Sequence, residues 1–120
     1  YLEPPEIAFP DKADVDRHYV EIMDAYLQAP PPAKLEIATH DENMIRAAQN
    51  LITQYSVPKD RYEFQMLYGI RSSRQIELAM AGEAVRVYVP FGDAWYPYFM
   101  RRLAERPANL WFFVKSLFSR

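Results

Sequence analysis

Hydrophobic side chains recur every three or four positions in several stretches of the chain, which is the spacing of an amphipathic helix. The first such stripe follows Asp11, a residue type that caps helices, and must end before Pro30 because proline cannot continue a helix. Its members are Val15, Tyr19, Ile22, Met23, Tyr26 and Leu27. The three prolines in residues 1–10 predict an extended loop before this helix.

Two more helices are predicted from the same periodicity. One follows Asp41, which can cap it, and closes before Pro58. Its apolar stripe consists of Met44, Ile45, Ala48, Leu51, Ile52 and Tyr55. The next helix is expected to open with a capping box formed by Ser72 and Gln75, and to stop at Gly82, where a left-handed cap is favourable only for glycine.

The last part of the chain predicts two further helices. Asp93 can cap the first of them, and Pro97 lies close enough to its start to be tolerated in the first turn. An aromatic-rich helix is then expected over residues 109–117. Its aromatic side chains are interpreted either as ordinary packing or as contacts to a partner or a membrane surface.

Three short strands are predicted between these helices, at residues 34–39, 62–68 and 84–89. Single helices separate them, so the strands should be parallel and the fold class α/β. Three such strands cannot cover both faces of a stable sheet, and the repeat is therefore expected to be part of a (βα)8 TIM-type barrel. In the third strand Tyr88 alternates with Val87 and Val89, which predicts that it points into the barrel.

Composition excludes several classes of protein. Sixteen acidic residues against 14 basic ones leave a net charge of −2, without the basic stripe of a nucleic-acid binder. No apolar run is long enough to span a bilayer, no signal peptide is evident and cysteine is absent, so a cytoplasmic location is the default expectation. Neither a metal-ligand motif nor a glycine-rich nucleotide loop occurs, and no metal is predicted.

Candidate chemistry lies just after the strands, because ligands bind at the carboxyl ends of parallel strands. The polar residues there are Thr39, His40, Asp41, Gln65, Tyr68, Tyr88, Arg101 and Arg102. Two interpretations of His40 are open: it makes a local hydrogen bond at a strand–helix junction, or it contacts a ligand. The arginine pair is either a solvated face or a clamp for a carboxylate or phosphate, with Tyr98 on the same side and Glu105 able to pair with Arg101.

Several motifs in the same order resemble the proline dehydrogenase family. They are Thr39-His40-Asp41, Glu63-Phe64-Gln65-Met66-Leu67-Tyr68-Gly69, Tyr88-Val89-Pro90 and Tyr98-Phe99-Met100-Arg101-Arg102-Leu103-Ala104-Glu105. The resemblance covers nearly the whole chain, as one barrel domain over residues 1–120. It is similar to the C-terminal part of the small monofunctional bacterial enzymes and, more distantly, to the corresponding domain of bifunctional proline utilisation A flavoenzymes.

The resemblance implies a function and its partners. Members of this family form a distorted (βα)8 barrel, bind FAD noncovalently and oxidise L-proline to Δ1-pyrroline-5-carboxylate, passing electrons to a membrane quinone. It also implies pyrroline-5-carboxylate dehydrogenase as a partner and a peripheral position on the inner face of the membrane.

It implies roles for individual residues as well. Arg101 and Arg102 would hold the substrate carboxylate, Tyr88 and Tyr98 would pack around the pyrrolidine ring, and Leu67 and Tyr1 would line the site. Thr39 and His40 would contact the flavin, with Glu105 and Arg102 also reaching it.

The resemblance implies that this chain begins after the family's earlier strands, its substrate-side lysine and aspartate, and several of its flavin contacts. Half a barrel would expose two sheet edges and an apolar interior, so instability in the absence of a complementary N-terminal part is expected. Two alternatives stay open, a noncatalytic α/β interaction or structural fragment and, less favoured, a barrel that binds a phosphorylated substrate through the arginines.

Overall fold

The computed structural model describes residues 4, 6–93, 96, 97 and 100. Its elements alternate between helix and strand, as the sequence predicts. In chain order they are α1 (Lys12–Gln28), β1 (Leu35–Ala38), α2 (Glu42–Gln54), a short 3-10 helix (Lys59–Arg61), β2 (Tyr62–Leu67), α3 (Ser72–Met80) and β3 (Val85–Tyr88). The helices predicted beyond Asp93 lie mostly outside the described residues.

The three strands form one parallel sheet in the order β1-β2-β3. Phe64 is opposite Ile37 on one side and Val85 on the other, and Gln65 is opposite Ala38 and Arg86. This register confirms the α/β class and the parallel arrangement. Closure into a barrel is not part of the described structure.

Alternate residues of the strands form two unlike faces, which we call the apolar face and the polar face. The apolar face consists of Leu35, Ile37, Tyr62, Phe64, Met66, Val85 and Val87; the polar face consists of Glu36, Ala38, Glu63, Gln65, Leu67, Arg86 and Tyr88. The helices pack on the apolar face, and the resulting core contains Met23, Leu27, Ile37, Ile45, Ala48, Tyr62, Phe64, Met66 and Leu78.

Two of the predicted helix ends are confirmed. The Asp41 side chain accepts a hydrogen bond from the Asn43 N–H, which caps α2 as expected. Gly82 follows α3 with a φ of +79°, the left-handed conformation that its sequence position predicts. Asp11 occupies the cap position of α1, but its side chain makes no capping hydrogen bond.

The predicted capping box at Ser72 and Gln75 is wrong. Ser72 is already the first helical residue, and the cap position belongs to Arg71, which has a φ of +52°. Gln75 does not make the hydrogen bond of a capping box. Its amide donates instead to the backbone oxygens of Leu67, the last residue of β2, and of Ile70, the residue before Arg71.

Contacts divide the chain into two compact units, one of residues 8–89 and one of residues 1–7 with 90–120. The sheet and its helices all belong to the first unit. In the second, the Ile7 N–H donates to the Pro4 oxygen, and Gly92 has a φ of +112°. Among the residues described, no helix is both long and apolar enough to cross a membrane.

Candidate functional site

The polar face is centred on Glu63, which is only 4% exposed although it carries a charge. Its carboxylate accepts hydrogen bonds from Lys34 Nζ at 3.1 Å, Arg86 Nη2 at 3.0 Å and Gln65 Nε2 at 2.8 Å, and a further short one from Arg86 Nε. A buried carboxylate is tolerated only when it is paired and hydrogen-bonded, and these donors satisfy that condition.

The same donors set the ionisation of Glu63. The Arg86 guanidinium, helped by the Gln65 amide and by Lys34, holds the pKa of the Glu63 carboxyl far below its ordinary value, against the effect of burial. In return, hydrogen bonding to Glu63 raises the pKa of Arg86. The pair is therefore charged throughout the neutral range.

Gln65 connects this ion pair to Tyr88. The Gln65 side chain, in a residue 5% exposed, donates to Glu63 and accepts from the Tyr88 hydroxyl at 3.0 Å. Tyr88 itself is 48% exposed, so its ring borders the open side of the polar face. Tyr88 thus lies on the face that the strand alternation predicts, but its hydroxyl partner is a residue of this chain.

A second set of contacts ties the carboxyl ends of β1 and β2 together. His40 Nε2 accepts the backbone N–H of Leu67 at 3.0 Å, and Arg71 Nη1 donates to the His40 oxygen at 2.7 Å. Arg71 also pairs with Glu42 at 2.7 Å. Because Nε2 is the acceptor, a neutral His40 ring carries its proton on Nδ1.

The hydrogen bond of the His40 ring to Leu67 crosses to the neighbouring strand. Thr39 behaves locally instead, since its Oγ1 accepts the Asp41 N–H at 3.0 Å. That bond leaves the Thr39 hydroxyl proton able to donate elsewhere. A ligand contact of His40 remains a prediction.

The structure brings together some of the predicted site residues. Gln65 is hydrogen-bonded to Tyr88, and His40 to Leu67; Gln65 and Leu67 are on the same face of β2. The other predicted site residues, Tyr1, Tyr98, Arg101, Arg102 and Glu105, lie outside the described residues.

Glu63 is a residue whose role the sequence analysis missed. A signal was available, because Glu63 and Gln65 are polar residues alternating with Tyr62, Phe64 and Met66 inside a predicted strand. Such alternation in a strand flanked by helices marks a face that is not packed against them. The sequence analysis expected the interior of the barrel segment to be apolar. That expectation is wrong for the polar face, which is turned away from the helices and carries charged and amide side chains.

Within the part of the chain that the structure describes, no group of three or more histidine, aspartate or glutamate side chains is arranged to hold a metal. The fold and site therefore define an α/β protein with a polar face and a hydrogen-bonded rim at the carboxyl ends of parallel strands, where this class binds its ligands.

Residues 3–115 match the family described as proline dehydrogenase. The chain is 45% identical over 117 residues to "Proline dehydrogenase 1" of Bacillus subtilis subsp. natto, covering 98% of this chain and 38% of that protein. It is 46% identical over 117 residues to "Proline dehydrogenase" of Deinococcus radiodurans, covering 98% and 37% respectively. This chain belongs to the proline dehydrogenase family, and it spans a little over a third of the length of these curated relatives.

Proposed function

We propose that this chain is the C-terminal part of a (βα)8 barrel that oxidises L-proline to Δ1-pyrroline-5-carboxylate with FAD and a quinone as electron acceptors. The observation that carries the proposal is the family match over residues 3–115, which includes every predicted site residue except Tyr1. A parallel three-stranded sheet with polar strand ends is compatible with such a barrel. Residues 1–120 then form one segment of that domain, completed by a complementary N-terminal part.

The substrate contacts are those that the resemblance to the family implies, and they fit the chemistry of proline. Arg101 and Arg102 bind the carboxylate, because a guanidinium offers paired donors that match two carboxylate oxygens. Tyr88, Tyr98, Leu67 and Tyr1 enclose the apolar ring and keep water from it. Oxidation breaks the C5–H bond with its electron pair and forms a C5–N double bond, while the ring nitrogen loses one proton.

The residues at the end of β1 fit the cofactor by their donor chemistry. Thr39 has a hydroxyl proton to donate, and His40 is oriented by the Leu67 N–H, so that its Nδ1 edge is a donor when the ring is neutral. Arg102 and Glu105 complete the proposed flavin contacts. When bound, FAD supplies the two-electron acceptor for the substrate hydride; the protein supplies position and electrostatics.

The test uses the full-length protein that carries this segment. Visible absorbance is recorded before and after anaerobic addition of L-proline, and bleaching of a flavin band is expected. A preparation that lacks flavin, or a flavin that proline does not bleach, contradicts the proposal and favours the noncatalytic interaction or structural role. Binding of a phosphorylated compound, together with no bleaching by proline, favours the phosphate-binding alternative.

The arginine roles are tested separately. Arg101→Met and Arg102→Met should each raise the KM for proline roughly 10- to 100-fold, the effect of losing a charge-assisted hydrogen bond. Arg106→Met, the same change at a nearby arginine outside the proposed site, is the matched control and should leave the KM within about twofold. Unchanged kinetics in both Arg101 and Arg102 variants would remove the clamp from the proposal.

A further inference from the structure

The Tyr88 hydroxyl is connected to a buried charge through a single side chain. Glu63 accepts from Gln65 Nε2 at 2.8 Å, and Gln65 Oε1 accepts from the Tyr88 hydroxyl at 3.0 Å. Glu63 and Gln65 are both buried, whereas Tyr88 is half-exposed. A rigid, buried pair thus holds the tip of an exposed aromatic ring.

The direction of these hydrogen bonds is forced by the chemistry of Glu63. An ionised carboxylate only accepts hydrogen bonds, so the Gln65 amide must turn its nitrogen toward Glu63. Its oxygen then faces Tyr88, and the tyrosine must be the donor. The ionised state is secured by Arg86 and Lys34, which both donate to the same carboxylate.

The strand register shows why Gln65 alone can link Glu63 to Tyr88. Gln65 is opposite Arg86 in the sheet register, and Leu67 is opposite Tyr88. Gln65 therefore lies diagonally between the ion pair and the tyrosine, on the same face as both. The adjacent residues of β2, Phe64 and Met66, point into the helix-covered core and reach neither.

We infer that Gln65 is a positioning residue of the substrate site, and that Glu63 holds Gln65 in the orientation this requires. Together they fix the Tyr88 ring against the substrate and commit its hydroxyl proton to the protein. The inference rests on the proposed function, which places Tyr88 beside the proline ring. It adds two residues that act through Tyr88 and do not themselves touch the substrate.

The experiment is a double-mutant cycle in the full-length holoenzyme, with Gln65→Met, Tyr88→Phe and the combined variant. Methionine keeps the length of the Gln65 side chain but lacks the amide oxygen that accepts the hydrogen bond of the Tyr88 hydroxyl. We expect Gln65→Met to lower kcat/KM for proline by roughly fivefold to tenfold, the size of one lost hydrogen bond that positions a substrate contact. In the Tyr88→Phe background the same change should have less than about a twofold effect, because the bond is already absent.

Controls and further measurements make the result decisive. Flavin content and the urea midpoint show whether each variant is folded, and Gln28→Met, the same substitution at an exposed position on α1, controls for the chemistry of the change. Glu63→Gln frees the Gln65 amide to turn over and should reproduce part of the Gln65→Met defect, again only when Tyr88 is present. A separation of KM from kcat then shows whether binding or the chemical step depends on the tyrosine.

The outcomes separate this inference from the proposed function. If the wild-type protein does not oxidise proline, the proposed function fails. If it does, and Gln65→Met either leaves kcat/KM unchanged or lowers it equally in the Tyr88→Phe background, Gln65 does not act through Tyr88 and the inference is overturned. Should Gln65→Met fail to bind flavin, the coupling is measured with Glu63→Gln against Tyr88→Phe, by the same criterion.

Discussion

The two faces of the sheet are made from alternate residues of the same strands, yet they are held together by different forces. On the apolar face Phe64 is completely buried against helices, where burial of apolar surface stabilises it. On the polar face the adjacent Glu63 is nearly as buried, but hydrogen bonds and cations stabilise it. Similar burial on the two faces therefore results from different interactions.

The comparison predicts its largest effect on the apolar face. Phe64→Ala in the full-length protein should lower the free energy of unfolding by about 3–5 kcal/mol, because it removes a large side chain and leaves a cavity in the core. Urea unfolding followed by circular dichroism measures it. If Phe64→Ala lowers the free energy of unfolding by less than Glu63→Gln does, the apolar face does not contribute more to stability than the polar face.

A smaller and pH-dependent effect is expected on the polar face. Glu63→Gln should lower the free energy of unfolding by about 1–2 kcal/mol at pH 7, the size expected for weakened hydrogen bonds to a charged group. Because the folded state lowers the pKa of Glu63 below its ordinary 4.5, the stabilisation is fully present above that pH and is lost as the pH falls further.

Urea unfolding of both proteins between pH 7 and pH 3 checks this sign. The two stabilities should converge as the solution is acidified. A difference that stays constant over the range would show that the Glu63 charge contributes nothing and that the substitution acts through packing alone.

The helices that cover the apolar face offer a matched pair of caps. Asp41→Ala should destabilise by about 1 kcal/mol, because the side chain caps α2. Asp11→Ala, at the equivalent position of α1, should have an effect below about 0.5 kcal/mol, since it makes no capping hydrogen bond. Equal losses in the two variants would mean that the capping bond to Asn43 is not what distinguishes them.

The smallest effect is expected at Glu36, an exposed residue of the polar face directly opposite Glu63. Glu36→Gln should change the free energy of unfolding by less than about 0.5 kcal/mol, as exposed substitutions usually do. The measurement shows whether only the buried, hydrogen-bonded side chains of the polar face contribute to stability. A loss as large as that of Glu63→Gln would contradict that view.

Much of the fold was predictable because its causes are local. The apolar stripes of α1 and α2, the prolines after them and the glycine after α3 place these helices close to their observed bounds. The strands were each predicted one or two residues too long, as expected when pairing, not composition, decides where a strand ends. The capping box was wrong because the cap position belongs to Arg71 and the Gln75 amide donates to the backbone oxygens of Leu67 and Ile70.

The candidate site was predictable only in outline. Polar residues near the ends of parallel strands were expected to converge, and a hydrogen bond joins two of them, Gln65 and Tyr88. Glu63 was not singled out, because its importance comes from Lys34 and Arg86, which are 29 and 23 positions away in the chain. Such pairs depend on strand register, and register is set by the whole sheet.

The sequence by itself determined the alternation of helix and strand, the parallel α/β class and the family to which the chain belongs. These follow from spacing, turn residues and ordered motifs, which are properties of neighbouring positions. Only the tertiary structure decided that Glu63 is ionised and buried, that Gln65 must turn its oxygen to Tyr88, and that His40 binds the next strand. Hydrogen-bond direction depends on which groups meet in space, and that is fixed when the strands pair.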